Sequence, residues 1–150
     1  MAIHFTADTH VGHLRRRGRA HQTSIRPPSF CKYDERHAKR PTWLALGEDR
    51  PLFAFAGVWR PWTGTRGTKA APVEGEHRLY AFLTTDANAE VAPVHPKAMP
   101  VLLRTADEID RWLTAPSEEA LELQRPLPDG TLEIFAVGRR EDGPGSSLLE

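Results

Sequence analysis

A single cysteine, Cys31, stands among the 150 residues, so no disulfide can close within the chain and a reducing, cytoplasmic setting is expected. No apolar run approaches the roughly 20 residues that span a bilayer as a helix, which excludes a helical membrane protein. The first residues lack an apolar stretch ahead of a small-residue cleavage site, which argues against secretion. No segment repeats another. Formal net charge is zero, so no overall field of one sign identifies a partner.

What is present begins with an asymmetry inside that zero. Residues 1–40 hold nine Lys/Arg against three Asp/Glu, and residues 41–150 hold eleven against seventeen. The run "RRRGR" at 15–19 would attract phosphates without sequence preference, or act as a solvated arm. A length of 150 residues suits one core, and 39% hydrophobic with 27% charged residues suits a soluble globular chain. Thirteen prolines and eleven glycines imply much turn and loop.

Hydrophobic patterning predicts a mixed α+β domain of mostly antiparallel strands with two or three short helices. Strands are expected at "AIHFTA", "SFCKY", "TWLAL", "LFAFAGVW", "RLYAFLTTDA", "MPVLLRT" and "LEIFAVG". The fourth is apolar on both faces, as a central strand would be. "RPWTGTRGTKAAPVEGEH" reads as a long loop on its glycines and prolines, and "DERHAKRP" and "GEDRP" as turns. A short helix is expected in "ANAEVAPV", capped by Thr84, Thr85 or Asp86. A longer one is expected in "TADEIDRWLTA", where Thr105 and Glu108 form a capping-box pattern and Ile109, Trp112 and Leu113 share a face. "SEEALELQ" repeats the formula with Ser117 as its cap, and "RREDGPGSSLLE" reads as a frayed tail.

Among candidate functional residues, His95 stands out. Flanked by Pro93 and Pro96 and placed just before a predicted strand, it sits on a stiffened backbone, and its ring titrates near neutrality as a general acid or base must. A turn histidine bonded to a neighbouring carbonyl is the plainer reading. In the long loop, Trp59, Arg60, Trp62, Arg66 and Lys69 interleave rings with cations, a pattern suited to stacking bases and holding phosphates. Trp59, at the end of a central strand, reads equally as core.

Three blocks in order, "LFAFAGVWRPW", "LTTDANAEVAPVHPKAMPVLL" and "ADEIDRWLTAP", with "SFCKYDERHAKRPTWLAL" upstream, resemble the SOS response-associated peptidase family, also called abasic-site processing proteins. The resemblance covers about residues 24–142. It implies a curved, barrel-like sheet with a positive cleft for single-stranded DNA, in which Lys97 joins Arg60, Trp62 and Arg66 as DNA-binding candidates. Such proteins attach covalently to the opened-ring aldehyde of an abasic site through a cysteine following the initiator methionine. His95 matches the family histidine ahead of a Met-Pro strand and would shuttle protons. Ala2 stands where that cysteine would be, and the family's Asn-Val-Ala-Pro and Asn-Ala-Arg elements are not found. In "FCKY", Lys32 takes the place of the family's acid. Beside His95 it would disfavour a second positive charge, and facing an aldehyde its amine would form an imine. Cys31, with Lys32 and Arg36 nearby to favour thiolate, would lie on the opposite strand face from Lys32.

The opening "IHFTADTHVGH" instead resembles the start of calcineurin-like metallophosphoesterases, with Asp8 and His10 as metal ligands and His13 near them. The downstream elements of a dinuclear site are not found. The sequence thus divides into a basic segment 1–23, expected to be unrelated to the rest or disordered, a partial abasic-site processing domain 24–142 and a flexible tail 143–150. The expected function is binding of single-stranded DNA at abasic sites in the DNA-damage response, with His95 and Lys32 as the catalytic positions, no metal and no cofactor. A non-functional truncated fragment and a phosphoesterase remnant are the alternatives.

Overall fold

The computed structural model describes residues 21–34 and 40–138. The expected strand "AIHFTA", the run "RRRGR", Asp8, His10, His13, Arg36, most of the turn "DERHAKRP" and the tail from residue 139 lie outside the described residues. Along the chain come β1 (His21–Ile25), β2 (Phe30–Asp34), β3 (Arg40–Ala45), β4 (Ala54–Thr68), β5 (Ala71–Phe82), β6 (Thr84–Thr85), β7 (Met99–Pro100) and β8 (Leu102–Leu103). Helices α1 (Ala106–Thr114) and α2 (Ser117–Ala120), a 3-10 turn at Leu121–Leu123 and β9 (Glu133–Val137) follow. The strands pair antiparallel in the orders β1-β4-β5 with β8 also on β4, β2-β3-β9, and β6-β7. The α+β, mostly antiparallel expectation holds, and no closed barrel is found among the described residues. No described helix is long and apolar enough to cross a membrane.

β4 organises the packing. Its first residues are buried on both faces, as its unbroken apolar run predicts, and alternation sends successive side chains to two different clusters. Phe55 joins Phe30, Leu44, Phe53, Phe82, Val91, Met99, Leu102, Leu127 and Leu132. Phe30, Phe53 and Phe55 meet edge to face, with centroids 5.3–6.0 Å apart. On the other side, Ala54 and Ala56 meet Leu83, Val101, Leu103, Trp112, Ala120 and Leu123. The small alanines let α1 approach closely, and Trp112 Nε1 donates to the Gly57 carbonyl oxygen at 3.2 Å, tying the helix to the strand.

Several sequence expectations are corrected. The long loop is instead a hairpin: β4 and β5 pair in one unbroken register from Gly57↔Phe82 to Thr68↔Ala71. Threonine, tryptophan, valine and histidine supply its strand character, while the glycines that suggested a loop have particular places. Gly64 faces Gly75 across the ladder, and the Trp62 ring occupies the space a side chain on Gly64 would need. Gly67 has φ +94 beside the tip, where a Cβ would strike the Ala71 carbonyl. Pro61 lies just past the end of β1, and Pro72 is on the edge strand β5, so neither interrupts a central ladder.

The second correction concerns "ANAEVAPV". It forms turns, with Ala92 N bonded to Asn88 O and His95 N to Val91 O, because Pro93 has no N–H with which to continue a helix and Pro96 follows. Thr84 and Thr85 therefore pair as β6 rather than cap a helix. The third is "MPVLLRT", which splits between two ladders: β7 pairs with β6 and β8 with β4, while Val101 between them donates to Leu83 O and accepts from Ala56 N.

α1 follows its capping signature. Thr105 Oγ1 accepts from Glu108 N at 3.1 Å, and Glu108 Oε2 accepts from the Thr105 and Arg104 amides. α2 departs from its expectation, since Ser117 is its first residue and Pro116 precedes it with no side-chain cap bond. Burial raises the Glu108 carboxyl, but the Arg104 amide, the Arg125 guanidinium and the Thr105 amide together bring it below its usual value. A carboxyl lowered on folding adds stability that is full above its unfolded pKa and is lost as pH falls through the folded one. The thermal midpoint of Glu108→Gln should therefore lie below wild type by a constant gap above about pH 5, narrowing as pH drops below about 4. Thr105→Ala, which loses the reciprocal cap bond, should cost about 1 kcal/mol in urea unfolding.

Candidate functional site

The turn ahead of β7 presents His95, and contacts distant in sequence hold that turn. Asn88 is buried. Its Oδ1 accepts from Val91 N at 3.2 Å, and its Nδ2 donates to Glu90 Oε2 at 2.8 Å. Glu90 Oε1 in turn accepts from Gly130 N, and Asp129 Oδ1 accepts from Ala89 N, both at 2.8 Å. These bonds reach forty residues along the chain and fasten the start of the turn, at Ala89 and Glu90, to the 129–130 corner. Val91 is also in the phenylalanine-rich cluster, and its carbonyl accepts from the amides of Val94 (3.0 Å) and His95 (2.8 Å). The His95 backbone is thus set by two prolines, a carbonyl and a polar clasp. Its side chain is only 5% exposed. Lys97, two residues on, is exposed.

Lys32 is likewise 5% exposed, on β2 opposite Thr42. It is not a solvated surface lysine. Strand alternation puts it on the same face as Phe30, a member of the cluster that also holds Val91 and Met99, so Lys32 and the His95 turn border the same core. Two buried titratable side chains at one core are costly unless partnered, and both have partners within the fold. Cys31 is on the other face of β2, opposite Trp43, at 2% exposure. The expectation that nearby cations favour its thiolate is corrected. Burial raises the thiol above its ordinary value and outweighs the Thr42 backbone bond and the Lys32 charge, both of which act downward.

The loop candidates fall on a regular ribbon. Arg60, Trp62 and Arg66 share one face of β4 by alternation, across from Leu79, His77 and Val73. Trp62 folds down over Gly64 and tilts against His77, with centroids 5.9 Å apart. The His77 Nε2 lies 3.0 Å from Gly64 O and 3.2 Å from Val73 O, which fixes it as a donor to carbonyls on both strands. Lys69 is at the tip. Trp59 faces the other way and is half-buried, stacked on His21 at 4.7 Å. Sequence reading gave no role to His21, His77, Arg78 or Tyr80: His77 falls in the expected loop, and Arg78 and Tyr80 on an expected strand whose pairing with Pro61 and Trp59 no local pattern gives. Among the described residues, no group of three or more His, Cys, Asp or Glu is placed to hold a metal ion.

Two outcomes follow from this geometry. Asn88→Ala strands the buried Val91 amide and should lower stability by about 1–3 kcal/mol in urea unfolding. A thiol reagent such as iodoacetamide should leave Cys31 unmodified in the native protein and label it fully in urea, as read by intact mass.

Compared with protein-family models, residues 28–140 match the family described as SOS response associated peptidase (SRAP). No curated protein matches the chain. The match takes in β2 through β9, and with them Lys32, the ribbon and the His95 turn. This chain belongs to the SOS response associated peptidase family.

Proposed function

We propose that the chain binds single-stranded DNA at abasic sites without forming the cysteine crosslink that its sequence resemblance implies for relatives. His95 carries this reading. A titratable ring almost wholly buried, on a turn fixed by prolines and a clasp reaching forty residues away, is more backbone than a packing histidine requires. Family membership ties the chain to the DNA-damage response. In this reading His95 and Lys32 face the lesion, and Lys97 and one face of the ribbon contact the strand through charge and stacking. The one thiol in the sequence, Cys31, is buried with a raised pKa and supplies no nucleophile.

The test uses purified, folded protein with a single-stranded oligonucleotide carrying one natural abasic site, beside an intact control. The expected result is binding that weakens as salt rises, prefers the abasic strand, and leaves no band on a denaturing gel. His95→Gln should remove the preference while keeping affinity for intact DNA. Equal affinity for both strands in wild type would overturn the abasic reading. An adduct trapped by borohydride and lost in Lys32→Ala would instead make Lys32 an imine-forming nucleophile.

A further inference from the structure

The ribbon has a second face, and its residues form a row that no sequence motif marked. Register sets His21 of β1 opposite Trp59 of β4, and Trp59 opposite Tyr80 of β5, so three rings lie side by side across three adjacent strands. His21 and Trp59 stack at 4.7 Å with planes 25° apart. The Arg78 guanidinium lies over the Trp59 ring, 5.5 Å from its centroid. Tyr80 contacts Phe82 at 5.8 Å, and Phe82 contacts Phe55 at 5.3 Å. Phe82 and Phe55 belong to the cluster that contains Val91 and Met99, on either side of His95. An aromatic track therefore leads from the core beneath the His95 turn out along the ribbon.

Its solvent end is open. Tyr80 is 64% exposed, and His21 and Arg78 are exposed beside it. Packing does not account for a tyrosine this exposed in mid-strand, since its neighbour Phe82 already closes the core. The opposite face differs, because Trp62 there rests on Gly64 and His77. Two exposed rings, His21 and Tyr80, flanking a half-buried Trp59 that carries a guanidinium match the two parts of a nucleotide, a stackable base and an anionic phosphate. We infer that the His21–Trp59–Tyr80 row with Arg78 is the platform along which single-stranded DNA leaves the His95 turn, its bases on the rings and a phosphate at Arg78. This rests on the DNA-binding reading above, and it places the strand on the ribbon face opposite Arg60, Trp62 and Arg66.

The experiment measures anisotropy of a labelled oligothymidine, intact or with one abasic-site analogue, against wild type and four variants, each checked by circular dichroism. Tyr80→Thr keeps strand propensity and removes the ring, and should weaken binding of both DNAs about tenfold or more. Tyr80→Phe keeps the ring and should bind as wild type. Arg78→Gln should weaken binding and reduce the slope of log K against log salt by about one. Trp62→Ala should change affinity by less than about threefold, on the order of what loss of a remote contact costs. Wild-type affinity in both Tyr80→Thr and Arg78→Gln, with loss in Trp62→Ala, would overturn the platform and leave the DNA-binding reading standing. Failure of wild type to bind either oligonucleotide would remove both.

Discussion

Everything on the sheet side of this protein depends on the alternation of β4. Odd positions from Phe53 and even positions from Ala54 enter separate clusters, and burial on both sides forbids the strand from slipping by one residue. The same strand then continues well past the core as one arm of the ribbon, without a bulge in its pairing to β5. The packing of phenylalanines and alanines thus decides which ribbon side chains face which way, including those more than ten residues from the residues that fix the parity.

The two parts of the strand are held by forces of different size. Burying a core phenylalanine contributes about 2–3 kcal/mol, whereas an exposed cross-strand pair contributes about 0.2–1 kcal/mol. The inner part is therefore rigid and the outer part is the softer, with Trp62 over Gly64 and the His77 bonds to two carbonyls as its local supports. A soft arm on a rigid root suits contact with a flexible polymer, because the root fixes direction while the arm adjusts. The His95 turn is built on the opposite plan, with its backbone bonded to the core and to the 129–130 corner.

Sequence reading recovered the elements whose signals are local. The capping box at Thr105 and Glu108, the helical face of Ile109 and Trp112, from which the expected Leu113 is left exposed, and the doubly apolar start of β4 each state their structure within a few residues. The ribbon was not legible, because Gly64 and Gly75 read as breakers until each is seen opposite the other. Pro93 carries a local signal against the expected helix in "ANAEVAPV". The candidate site was legible only in part. His95 and Lys32 could be picked out, but their burial depends on Phe30, Val91 and Met99 meeting in space, and the clasp from Asn88 and Glu90 joins residues whose proximity no local pattern encodes. Tyr80 lies on an expected strand, but its exposure depends on how far that strand and β4 run past the core together.

The unbroken register from Gly57↔Phe82 to Thr68↔Ala71 also limits how the chain can change length. Residues added in equal number to both arms near the tip would lengthen the ribbon and disturb nothing below. A single residue inserted between Val58 and Arg60 would do something else: every side chain beyond it would cross to the other face, carrying Arg60, Trp62 and Arg66 to the side of Arg78 and Tyr80. Relatives of this chain that vary here are therefore expected to differ by even steps at the root and by any matched step at the tip, which makes hairpin length a record of whether the two faces have kept separate roles.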